Sequence, residues 1–222
     1  MVQFQYAFMA VLVGVLLAAV VSFVALGLSK VRRTARLSRA AHQGGMRFFP
    51  DDTAQLVGRY ADFAVIGSGH SPCANNITDG RMRGRAFRAF DFRCEIGHGT
   101  RRMTRHYSVV VADAQCPPER LLMWNDSDKE LAPLAARETD GRLAPWSYRG
   151  SARLAARIAA ACPALAEGTS SIELRGSTLM VFAVPVRRAR AGYAVDLAHV
   201  EALLQAVESA EPATTPTPAG ES

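Results

Sequence analysis

Residues 74–112 read ANNITDGRMRGRAFRAFDFRCEIGHGTRRMTRHYSVVVA. Two turn signals divide this stretch: Gly80 and Gly84 close a first hairpin, Gly97 and Gly99 a second. Three strands are predicted, at 74–83, 85–96 and 105–112. Phe90, Phe92, Cys94 and Ile96 share one face of the second at period two, and Tyr107, Val109 and Val111 alternate likewise on the third. Phe87 falls on the opposite face, which requires either a bulge or a sheet covered on both sides.

Working outward, Pro117-Pro118 precedes a fourth strand at 121–124, and Gly176-Ser177 joins 171–175 to 178–185 as a further hairpin. Upstream, a short strand at 46–49 stops at Pro50, and Asp51 or Asp52 caps a helix over 53–60. A helix over 152–162 is ended by Pro163. An amphipathic helix over 195–209 carries Leu197, Val200, Leu204 and Val207 on one stripe. Residues 129–146 read as irregular or partly helical, and 211–222 as a Pro/Thr-rich disordered tail. The expected fold is α+β: a mainly antiparallel sheet with flanking helices in one domain over 46–210. A domain of that size buries roughly 70% of its unfolded surface.

The chain has 222 residues, so a large multidomain enzyme is excluded. Hydrophobic residues make up 49%, too many for a disordered chain, and four scattered cysteines do not make a disulfide scaffold. Residues 1–29 contain no charged side chain. At 1.5 Å per residue, ~20 apolar residues cross the ~30 Å hydrocarbon core as a helix, so this segment is read as one transmembrane span. A signal peptide is the rival, with Ala25-Leu26-Gly27 as its cleavage site. Such a peptide has a shorter apolar region and a basic residue before it.

Lys30, Arg32, Arg33, Arg36 and Arg39 follow the span on a basic juxtamembrane helix over 30–45. The positive-inside rule then leaves a short N-terminus outside and the domain in the cytoplasm, at the plasma (inner) membrane. Without those five charges, 21 basic side chains face 20 acidic ones. The basic pI is therefore a property of the stem, and nucleic acid is not an expected partner. In a reducing cytoplasm Cys73, Cys94, Cys116 and Cys162 are free thiols; an external domain would make Cys73–Cys94 the disulfide to suspect.

Three stretches, GHSPCANN (69–76), GRAFRAFDFR (84–93) and HYSVVV (106–111), resemble a family of uncharacterised, membrane-anchored bacterial proteins, mostly actinobacterial. The later SIELRG and TLMVFAV segments and the closing helix sit where that family's do. The resemblance implies an N-terminal transmembrane helix, a basic stem and an α+β domain, and carries no activity. The sequence departs from the family between Asn125 and Arg149. The family also carries other residues at the positions of Cys73 and Cys94.

His70, Cys73, Cys94 and His98 have the ligand types and pair spacings of a tetrahedral zinc site, against the plainer reading that Cys94 packs among Phe90 and Phe92. Gly67-Ser68-Gly69 lacks the third glycine and the helix of a phosphate loop. No serine has the glycines of a nucleophile elbow. No catalytic residue and no cofactor is expected. Arg81, Arg83, Arg85, Arg88 and Arg93, with Arg101, Arg102 and Arg105 beyond, form a basic ribbon that could bind lipid headgroups or other anions, or simply a solvated edge. The expected role is a membrane-tethered interaction module, contacting anionic lipid or an acidic protein through this hairpin, with zinc binding as the alternative.

Overall fold

The computed structural model describes residues 2–97, 99–116, 119–125, 139–163, 170–184, 193 and 197–209. A long helix α1 (Val2–Gln43) leads into strand β1 (Arg47–Asp51) and two one-turn helices, α2 (Leu56–Arg59) and α3 (Ala64–Gly67). Strands β2 (His70–Met82), β3 (Arg85–Ile96), β4 (Met103–Asp113), β5 (Glu119–Asn125), β6 (Gly141–Leu143) and β7 (Trp146–Gly150) follow. Helix α4 (Ala152–Ala161), strands β8 (Ser170–Gly176) and β9 (Thr178–Ala183), and helix α5 (Leu197–Glu208) complete the described elements. The strands form one antiparallel sheet in the order β1-β2-β3-β4-β9-β8-β5-β7-β6. The expected α+β class is therefore the observed one.

The placement of Phe87 has a simple cause. The β3–β4 register runs unbroken from Phe87↔Ala112 to Ile96↔Met103, so β3 alternates without a bulge and both faces of the sheet are covered. Phe87, Ala89, Val110, Ala112 and Val181 bury against Leu154 and Ile158 of α4 and Leu203, Leu204 and Val207 of α5. Phe90, Phe92, Cys94, Tyr107 and Phe182 bury against Leu56, Tyr60, Phe63, Val65 and Ile66 from the α2–α3 segment. Irregularities fall instead in β2, between His70 and Cys73 and between Asn75 and Thr78.

Several local expectations need correction. Strand β1 runs through Pro50 to Asp51 because it is an edge strand, where a missing N–H costs no ladder bond. The helix expected over 53–60 shrinks to one turn; Asp52 still acts near its start, accepting from the N–H groups of Leu56 at 2.8 Å and Val57 at 3.3 Å. The region read as irregular contains β6 and ends on the first residue of β7, which pairs with β5. Its residues 129–138 lie outside the described residues, as does the tail at 211–222. The basic juxtamembrane helix needs no such correction: α1 runs on unbroken past its apolar part. It continues to Gln43 and ends where Gly45 takes a left-handed φ of 67° and Met46 N–H returns to the Ala41 carbonyl at 2.9 Å.

Glu173 fastens α3 to the sheet. Its side chain is 3% exposed and accepts from Ala64 N–H and Arg175 Nε, each at 2.6 Å. Burial pushes the Glu173 carboxyl above its ordinary value of 4.5, outweighing the pull of Arg175 and Ala64 in the other direction. The folded state therefore binds this proton more tightly than the unfolded chain. The stability this lends is full below the unfolded value and is lost as pH rises through the folded one. We expect thermal stability to carry a falling component that begins just above pH 4.5, read by circular dichroism, and Glu173→Gln to lack it. Glu173→Ala should cost about 1–3 kcal/mol by stripping Ala64 and Arg175 of their acceptor.

Candidate functional site: the clamp between helix and sheet

The Asn75–Thr78 irregularity in β2 puts Asn76 at a φ of 51°, a conformation that asparagine tolerates better than most residues. The displaced Asn76 side chain bridges α1 and β3. Thr34 Oγ1 donates to Asn76 Oδ1 and Asn76 Nδ2 donates to Asp91 Oδ2, both at 2.9 Å. Arg33 then grips Asp91 with both arms of its fork, Nε to Oδ2 at 3.1 Å and Nη2 to Oδ1 at 2.8 Å. Below them Tyr193 donates to the Asn76 carbonyl at 2.5 Å, and its oxygen lies 2.9 Å from Thr78 Oγ1. Burial holds the Tyr193 phenol well above its usual range, so it stays protonated as a donor. One and two turns beyond Arg33, Leu37 and Ala41 are buried. Charge-assisted, bidentate and partly desolvated, this cluster is built to hold α1 in place.

The expected site residues are scattered differently from their order in sequence. Lys30, Arg32, Arg36 and Arg39 are exposed, whereas Arg33 is taken up by the clamp. In the hairpin, Arg83 pairs with Glu201 and Arg85 with Glu208, both on α5. Arg88 meets Asp79 at 2.8 Å and the Tyr60 hydroxyl at 2.9 Å. Arg81 and Arg93 are exposed, but Arg81 stands opposite Ala86 and Arg93 opposite Cys73, at different ends of the β2–β3 pair. These five arginines thus form no single ribbon.

His70 lies opposite Glu95 and Cys73 opposite Arg93, so Cys73 and Cys94 point to opposite sheet faces. Cys94 is fully buried, and burial pushes its thiol up, away from the thiolate that a metal requires. His98 lies outside the described residues. Among the described residues no three His, Cys, Asp or Glu side chains are arranged to hold a metal, and all four cysteines are free. An open cleft of about 360 Å³ between β2 and the α2 segment is lined by Asp51, Asp52, Gln55, Cys73 and Asn75, with Asp52 already engaged as a cap. Sequence reasoning missed the roles of Thr34, Asn76, Asp91 and Tyr193. Asn76 directly after Asn75 in a strand was the available signal, since asparagine is disfavoured within strands.

No family model and no curated protein sequence matches the chain. Among solved structures it is similar in fold to the crystal structure of the mycobacterial trehalose monomycolate transport factor A, TtfA. The TM-score is 0.58, with 16% identity over 82% of this chain and 98% of that one. At that identity the likeness is one of fold. That neighbour is mycobacterial, which is compatible with the expected actinobacterial resemblance.

Arg33 and Asp91 should be strongly coupled. In a double-mutant cycle of Arg33→Ala and Asp91→Ala, followed by thermal unfolding of the detergent-solubilised chain, we expect a coupling energy of about 0.5–3 kcal/mol. Additive losses would show that the fork contributes nothing to holding the helix.

Proposed function

We propose that this chain is a single-pass membrane-anchored accessory module that acts by binding, in the transport of an amphipathic lipid of the cell envelope. The observation that carries the anchor is α1 itself. Val11–Gln43 includes a window of mean hydropathy 2.8, none of it buried in the protein, while the C-terminal end of the same helix is clamped to the sheet. Phe23 is 81% exposed and Val15, Leu16 and Val21 more than 60%, an arrangement that favours lipid as the solvent. Lys30, Arg32, Arg36 and Arg39 beyond the span support an external N-terminus and a cytoplasmic domain at the plasma membrane. The fold shared with TtfA supports the transport role.

Depletion of the protein in its host, with envelope lipids followed by radiolabelling and thin-layer chromatography, should make one acylated polar lipid accumulate at the plasma membrane. The full chain should reverse this, and a chain lacking residues 1–29 should not. An unchanged lipid profile would remove the transport reading. Sidedness is measured separately, with an impermeant maleimide on Thr100→Cys: labelling is expected only after permeabilisation.

A further inference from the structure

The clamp fixes which end of the sheet meets the membrane. Helix α1 ends beside Gly80, whose backbone lies against Met46 and which pairs with Phe87. Ten residues earlier on α1, Arg33 meets Asp91. That step is about 15 Å of helix, and Phe87 to Asp91 is about 13 Å of strand, so α1 traced backwards and β3 traced forwards advance together. From Arg33 to Leu28, the last residue of the apolar run, is a further ~7.5 Å, or about two residues of strand. Arg93 therefore stands level with the end of the span, and Ile96 with its partner Met103 lies ~10 Å nearer the bilayer, a depth that the uncharged Val2–Leu28 stretch, ~40 Å of helix against a ~30 Å hydrocarbon core, leaves to the headgroup layer.

That end has the composition of a headgroup contact. Arg93, Arg101 and Arg102 are exposed there, with Glu95 as the nearby acid, paired with Arg102 at 3.1 Å. Outside α1, Met103 is the single exposed large apolar side chain among the described residues, and it sits at this same end, opposite Ile96. On α1, Lys30 and Arg32 are exposed within ~6 Å of the end of the span. The arginines of the β2–β3 turn lie ~25 Å further from the bilayer, and Arg83 and Arg85 are paired with α5.

We propose that the β3–β4 end of the sheet, through Arg93, Arg101, Arg102 and Met103 together with Lys30 and Arg32, rests against anionic lipid headgroups of the leaflet from which α1 emerges. This rests on the anchored reading above and applies on either side of the membrane. Guanidinium groups suit phosphate oxygens, and an exposed Met beside them suits the boundary between headgroups and acyl chains.

The test uses the full chain, with Cys73 and Cys116 replaced by Ser, reconstituted in phosphatidylcholine vesicles with or without phosphatidylglycerol and with a headgroup spin-labelled lipid in both leaflets. A fluorophore is placed on Thr100→Cys or on Arg81→Cys. With phosphatidylglycerol, quenching at position 100 should exceed that at 81 by about threefold or more, and should fall when phosphatidylglycerol is omitted. The Arg101→Gln/Arg102→Gln variant, confined to the exposed turn, should lose most of the phosphatidylglycerol-dependent part. Equal or greater quenching at 81, or quenching at 100 indifferent to phosphatidylglycerol, would overturn the proposal; the latter is what an acidic protein partner for this end would give. Vesicle flotation of the same samples separates the two readings: a chain that fails to float sinks the anchor and this proposal, whereas a floating chain with the wrong quenching pattern sinks this proposal alone.

Discussion

A guanidinium locked to a carboxylate, Arg33 on Asp91, is the charged fastening between α1 and the sheet. Among the described residues, nothing buries the apolar half of α1. Its direction relative to the sheet is set by the bonds that Arg33 and Thr34 make with Asp91 and Asn76, and by Leu37 and Ala41 beneath them. Both partners of the ion pair are about one-quarter exposed, so the pair keeps more of its strength than a surface pair does. The strand supplies its share through a local defect. A regular β2 would point Asn76 elsewhere, and the irregularity with its positive φ is what lets the amide join Thr34 to Asp91.

The sheet that receives the helix is rigid for a different reason. It is buried on both sides, with α4 and α5 on one face and the α2–α3 segment on the other, so a shift of β3 by one residue would exchange two complete sets of core side chains. The α2–α3 segment has little helical cohesion of its own, being two single turns. It is held by Leu56, Tyr60 and Phe63 and by the Glu173 carboxylate reaching Ala64.

What could be read from the sequence followed from periodicity. The alternation from Phe87 to Ile96 marked β3 and required either a bulge or two covered faces, and the glycine turns marked the hairpins. The closing helix and the single apolar span were legible in the same way. Relations between distant residues were not. Arg33 looks like one of five equivalent flanking charges until Asp91, 58 positions away, is seen to hold it. The arginines around residue 85 look like a free basic ribbon because Glu201 and Glu208 lie more than a hundred positions downstream. Pro50 misled by a sound rule applied without knowing that β1 is an edge. The strand beginning at Trp146 was hidden by the proline and short apolar run before it.

Because α1 passes without interruption from its apolar part into the clamp, the residues between them act as a screw thread. Adding one residue between the end of the span and Arg33 would turn the entire sheet by about 100° about the helix axis while raising it only ~1.5 Å. Chain length in this short interval is thus an angular setting. It decides which side of the domain looks toward any neighbour in the plane of the membrane, and it hardly changes how far the domain stands from the surface. Variants of this architecture that differ in length here by anything other than whole turns would present a different profile to the same neighbour.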